Sequence, residues 1–169
     1  AGYEAVELAC AAPHLDAATA RTAGRHWAAR LNDSGLAVSA LSLFNHLTDP
    51  DTVAGQVEEA TRFIHLAPDF GARVVKLTPG PPASGAASAA HWACLEGALE
   101  RLERTAAEVD VRLAVETHMR QLTDTAAASR QLLDRVPSRR VGLTVDFSNL
   151  AFAGDDAAVL GHGEHLCKG

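Results

Sequence analysis

Five short apolar runs recur along the chain, each bounded by Gly, Asp or Ser: "YEAVELA" (3–9), "LAVSALSLF" (36–44), "ARVVKLT" (72–78), "VRLAVET" (111–117) and "VGLTVDF" (141–147). Between them, polar and apolar positions follow a helical period. "DAATARTAGRHWAARLNDSG" opens on a capping residue, Asp16, and stops at Gly35; "DPDTVAGQVEEATRFIHLAPDFG" closes at Gly71. "SAAHWACLEGALERLERTAAEVD" and "TDTAAASRQLLDRVPS" follow the same plan, with Ser or Thr near each start. Strand starts lie about 30 to 40 residues apart, the size of a βαβ unit. Strands alternating with helices in this way form a parallel sheet, so the fold class is α/β.

The alternation inside the strands distinguishes a closed sheet from an open one. In "VRLAVETH" one face carries Val111, Leu113 and Val115, and the other carries Ala114, Glu116 and His118. In "VGLTVDF" the bulky face is Val141, Leu143 and Val145, opposite Gly142, Thr144 and Asp146. An open parallel sheet covered by helices on both sides needs two apolar faces. Here one face is bulky and the other is small, then polar toward the C-terminal end. That pattern predicts a (β/α) barrel of TIM type, whose reactive groups gather at the C-terminal strand ends. No GxGxxG or phosphate-binding loop follows any strand. A full eight-unit barrel takes about 250 residues. This chain of 169 is therefore expected to hold five to six of eight βα units, as one domain over 1–169 or a large fragment of one.

Composition changes the picture only by exclusion. A formal net charge of −6 and the absence of a Lys/Arg cluster argue against a nucleic-acid partner. No apolar run approaches the roughly 18 residues of a membrane span, so no membrane partner is expected. The N-terminus lacks the layout of a signal peptide. Cys10, Cys94 and Cys167 form no CxxC pair, which points to a reduced, cytoplasmic setting.

The candidate chemistry begins with two acids. Glu116 and Asp146 each stand near the end of a strand, in corresponding places about 30 residues apart. Neighbouring parallel strands lie roughly 4.8 Å apart, so carboxylates at matching heights would crowd and repel. A divalent cation resolves the conflict; oxygen ligands with an imidazole suit Mn²⁺, Mg²⁺, Co²⁺ or Zn²⁺. The plainer alternative is that either acid caps the helix or loop that follows.

The stretch "LAVETHMRQLTDTAAASRQLLDRVPSRRVGLTVDFSNL" resembles the sugar phosphate isomerase/epimerase family, the xylose-isomerase-like TIM barrels. "AGYEAVELA" is similar to that family's second strand and "GARVVKLTPG" to its fourth. The resemblance implies that Glu116 and Asp146 are ligands of one divalent metal ion. It implies a third ligand, a His on the seventh strand, for which His165 in "GEHLCKG" is the candidate. The family's fourth ligand, a Glu on the eighth strand, has no counterpart here. Many members carry a His three residues after the Asp; in this chain Asn149 stands there as a candidate substrate contact.

The implied reaction is isomerisation or epimerisation of a small sugar or polyol through an enediolate, with Glu116 as ligand and base. His118 shares the face of Glu116 and is a candidate orienting group, or a loop histidine bonded to backbone. Lys76 could neutralise an oxyanion or phosphate, or snorkel to solvent. Glu7 and Asn45, near the ends of the first two strands, are candidate hydroxyl-binding groups. The Pro/Gly-rich "TPGPPASGAAS" (78–88) is expected to be a flexible connector, or a lid. Trp27 and Trp92 are expected to pack in the core. A metal-dependent lyase or dehydratase and a DNA-repair endonuclease are alternatives on related scaffolds. The non-enzyme alternative is a degenerate barrel serving as a scaffold, its strand edges covered by a second copy or a partner chain.

Overall fold

The computed structural model describes residues 2–16, 18 and 20–155. Five strands are present among them: β1 (Ala5–Ala9), β2 (Ala37–Ser42), β3 (Val74–Leu77), β4 (Arg112–Glu116) and β5 (Val141–Thr144). All four pairings are parallel, and the order across the sheet is the order along the chain. A doubly wound sheet reverses its strand order partway across and places helices on both faces. This sheet never reverses. Right-handed crossovers that all run the same way put every connecting helix on one side, as in a barrel wall.

The helices are α1 (Ala20–Asp33), α2 (Val53–Leu66), α3 (Ala89–Glu108), α4 (Ala126–Arg135) and a short α5 (Phe147–Phe152). Each strand is thus followed by a helix. Their boundaries have local causes. Thr125 caps α4, its side chain accepting from the Ala128 N–H at 3.1 Å. Ser88 and His91 form a reciprocal capping box at the start of α3. After α2, Pro68 lies in a 3-10 turn over Ala67–Phe70, and Gly71 ends it with φ of 69°, a backbone state that favours glycine.

The two strand faces divide as the alternation predicts. Leu41, Val75, Leu77, Leu113, Val115 and Leu143 are buried in one cluster with helix residues including Phe63, Ile64 and Leu99. Trp92 belongs to that cluster and Trp27 packs against it. On the opposite, inner face one register row runs Ser42–Lys76–Ala114–Gly142 across β2 to β5. Three of its four members are small, which leaves room for the lysine.

The segment 78–88 is fastened rather than loose, which corrects the composition-based expectation of a flexible connector. The Leu47 N–H donates to Pro79 O at 2.7 Å, and the Thr48 hydroxyl donates to Pro81 O. From the other side, Gln121 Oε1 accepts from the Gly80 N–H at 2.8 Å, and the Leu122 N–H donates to Gly80 O at 3.1 Å. Asp124 Oδ1 accepts from the Ser84 N–H at 3.2 Å. Proline and glycine content describes the segment's own stiffness, not the side chains that neighbouring loops supply. No helix among the described residues is long and apolar enough to cross a membrane.

Candidate functional site

The inner face holds a charged cluster in which Lys76 and Glu116 are buried. Lys76 projects from β3 between two carboxylates, with Nζ 2.8 Å from Glu7 Oε1 and 3.3 Å from Glu116 Oε1. The Lys76 and Glu116 side chains are each 11% exposed, whereas that of Glu7 is 43% exposed. Glu7 lies two strands from Lys76, and the intervening β2 presents Ala40 and Ser42 to that face. Burial alone would lower the lysine's proton affinity. The Glu7 hydrogen bond and the Glu116 charge outweigh it, so the ammonium titrates above its ordinary range and is cationic at neutral pH. Lys76 therefore neither snorkels nor stands free to meet an anion. Its charge is already matched by two carboxylates.

The second candidate acid sits differently from the first. Glu116 pairs in register with Thr144, and Asp146 lies two residues further on, beyond the end of β5. That offset corrects the expectation of matching heights; it corresponds to about 6.6 Å of strand rise. Asp146 is the N-cap of α5, with Oδ1 accepting from the Asn149 N–H at 2.9 Å. The capping alternative thus describes Asp146, and not Glu116. The cap engages Oδ1.

The other candidates scatter around this pair. His118 is half-buried with Nδ1 2.9 Å from Met119 O, the backbone-bonded loop histidine of the alternative reading. Asn45, 2% exposed, follows β2; its carbonyl accepts from the Thr78 hydroxyl at 2.8 Å, while its Oδ1 is buried without a hydrogen-bond partner. Asn149 is buried in α5 and reaches Asp146 through its backbone N–H. His165 and Cys167 lie outside the described residues.

Sequence reasoning missed the residues that fix the two acids. Thr123 donates its hydroxyl to Glu116 O at 2.6 Å, and the Thr117 hydroxyl bonds the Asp146 backbone. Both threonines are fully buried. The signal was present as two threonines in "ETHMRQLT", but a threonine in a loop does not disclose which strand it serves.

Two carboxylates at the ends of adjacent strands are the hard oxygen donors that a divalent cation takes, so Glu116 and Asp146 fit part of a ligand set. Among the described residues, no three His, Cys, Asp or Glu side chains are grouped to hold an ion. Glu116 Oε1 also carries the Lys76 ion pair.

A sheet in sequential order, helices on its outer side and a charged cluster on its inner side are features of a barrel wall. The xylose isomerase-like TIM barrel family model matches residues 1–166. The chain belongs to that family. Members of the same architecture among solved structures include a probable 3-DHS dehydratase, AsbF, involved in petrobactin synthesis in Bacillus anthracis. It is 19% identical, with a TM-score of 0.77, over 92% of this chain and 57% of that one. The 3-keto-D-glucoside 4-epimerase YcjR of E. coli is 15% identical, with a TM-score of 0.80, over 98% and 67%. The IOLI protein, solved with a bound zinc atom, is 15% identical, with a TM-score of 0.81, over 98% and 61%. These likenesses establish the fold. The chain spans roughly three fifths of the length of the structures it matches. No protein of curated function matches it in sequence.

Proposed function

We propose that the chain forms the greater part of a metal-dependent isomerase or epimerase acting on a small, uncharged sugar or polyol. The observation that carries this reading is the Glu7–Lys76–Glu116 cluster on the inner face, with Lys76 and Glu116 buried and Asp146 at the neighbouring strand end. A buried carboxylate held in place by its backbone and by an ammonium is equipped to take a proton from a carbon beside a carbonyl. Glu116 is that group: Thr123 anchors its backbone and Lys76 its carboxylate. Lys76 offsets the charge of Glu7 and Glu116 on either side of it. A divalent ion held by Glu116 and Asp146 would supply Lewis-acid polarisation of the substrate carbonyl. The zinc atom of the IOLI structure supports an ion in this family.

The charge balance supports the substrate class. Glu7 and Glu116 flank one ammonium and Asp146 adds a third acid at the neighbouring strand end, so a divalent ion would bring the total to neutrality. A neutral polyol enters such a site without penalty, whereas a sugar phosphate or an acid meets no surplus of positive charge. Dehydration of a hydroxy-carbonyl compound begins with the same proton abstraction, and the fold likeness to a 3-DHS dehydratase supports a lyase as the second reading. The free thiols of Cys10 and Cys94 support a reducing, cytoplasmic setting. A single barrel domain over 1–169 fits the family match. Among the described residues β1 and β5 each pair on one side only, and further strands, a second copy or a partner chain would cover those edges.

The test is solvent-deuterium incorporation into neutral ketoses in the presence of Mn²⁺. Exchange at one carbon with formation of the epimer is expected, and Glu116→Gln should reduce it by about 10²–10⁴-fold. Loss of water from the product would establish the lyase instead. Absence of exchange across neutral sugars would refute proton abstraction altogether.

A further inference from the structure

The Lys76 ammonium is a cation already paired with Glu116, the buried carboxylate that a divalent ion would also draw on. It lies 3.3 Å from Glu116 Oε1 and closer still, 2.8 Å, to Glu7 Oε1. We propose that Lys76 is a resident counter-cation that competes with the divalent ion for Glu116, and that Glu7 is the seat to which it withdraws when the ion binds. The inference rests on the reading of Glu116 and Asp146 as metal ligands.

Three observations carry it. Glu116 is almost wholly buried, and a buried carboxylate needs a compensating cation at all times. Lys76 provides one before any metal arrives. An ammonium and a divalent ion drawn to one carboxylate repel strongly where the dielectric is low, so they cannot share it at full strength. Lysine has a flexible four-carbon stem, and its row neighbours Ser42 and Ala114 are small, so the head group has room to shift. Glu7 differs from Glu116 in keeping much of its side chain in water. It can therefore stand alone when Lys76 leans toward Glu116, and hold the lysine when it does not. Ion binding is then an exchange of partners, and Glu7 sets how easily the exchange occurs.

The experiment is a double-mutant cycle read as Mn²⁺ affinity by titration calorimetry, with no substrate present. Lys76→Met should tighten binding by about tenfold by removing the competitor. Glu7→Gln should weaken binding several-fold in the wild-type background and leave it unchanged in the Lys76→Met background, because its effect runs through the lysine. Equal effects of Glu7→Gln in both backgrounds would overturn the exchange, as would weaker binding in Lys76→Met. If Lys76→Met does not fold, the Glu7→Gln effect is repeated in about 1 M salt, where screening acts within about 3 Å. Persistence of the loss supports direct exchange, and its disappearance rejects it. Asp146→Asn separates the two levels. If it binds Mn²⁺ as wild type does, the metal reading falls and the exchange with it; if it loses binding while the cycle is additive, the exchange alone falls.

Discussion

The Thr117 hydroxyl bonds both backbone polar groups of Asp146, accepting from its N–H at 2.8 Å and donating to its carbonyl oxygen at 3.3 Å. One side chain thereby ties the end of β4 to the start of α5, so the spacing of the two candidate ligands depends on it. Thr117→Val keeps the shape and removes both bonds. The Asp146 N–H loses its partner, at a cost of about 1–3 kcal/mol. A urea midpoint should fall accordingly, and Mn²⁺ affinity should fall with it.

Leu113 lies on the helix-facing side of β4, fully buried in the main cluster. Leu113→Ala removes that contact and leaves a cavity that the sheet cannot close. A loss of about 2–5 kcal/mol is expected in denaturant unfolding. Glu116→Gln, on the other face of the same strand, should leave the helix-facing packing intact.

Gly80 carries φ of +99°, and a Cβ added there would lie 2.8 Å from the His46 Cα. Gly80→Ala is therefore opposed twice, by backbone strain and by a backbone collision. A destabilisation of at least about 1–3 kcal/mol is expected. Hydrogen exchange should show lost protection at Leu47 and Leu122, whose N–H groups bond the carbonyls of Pro79 and Gly80.

Burial pushes the Cys10 thiol from its ordinary 9.0 up to about 12. The folded chain holds this proton where the unfolded chain would release it. Its contribution to stability is thus present below pH 9 and declines as the pH rises toward 12. Native protein treated with iodoacetamide at pH 9 should remain unlabelled at Cys10, and unfolding should expose it. Mass mapping of the labelled peptides reads the result directly.

The strand–helix rhythm was legible because it is local. Leu113, Val115 and Leu143 announce a helix-covered face, and Ala114 and Gly142 announce an inner face that leaves room for longer neighbours. The site was legible one residue at a time. Glu116, Lys76 and Glu7 all stand out as polar groups in apolar strands, yet their meeting spans 40 residues in one direction and 69 in the other. Nothing in the sequence says that β2 will present small residues between β1 and β3. The height of Asp146 differs from the sequence expectation for a related reason. Register between β4 and β5 is fixed by hydrogen bonding across the strands, and a one-pleat offset leaves no trace in either strand's own alternation.

The segment after β3 is stitched on one flank to the residues following β2 and on the other to those following β4. The centre of the rim is therefore a single slab rather than three independent flaps. Whatever adjusts the width of the entrance above Lys76 has to act at the margins, beside Glu7 and α5. Divergence in ligand preference among chains built this way should accumulate at those margins, with the slab preserved between them.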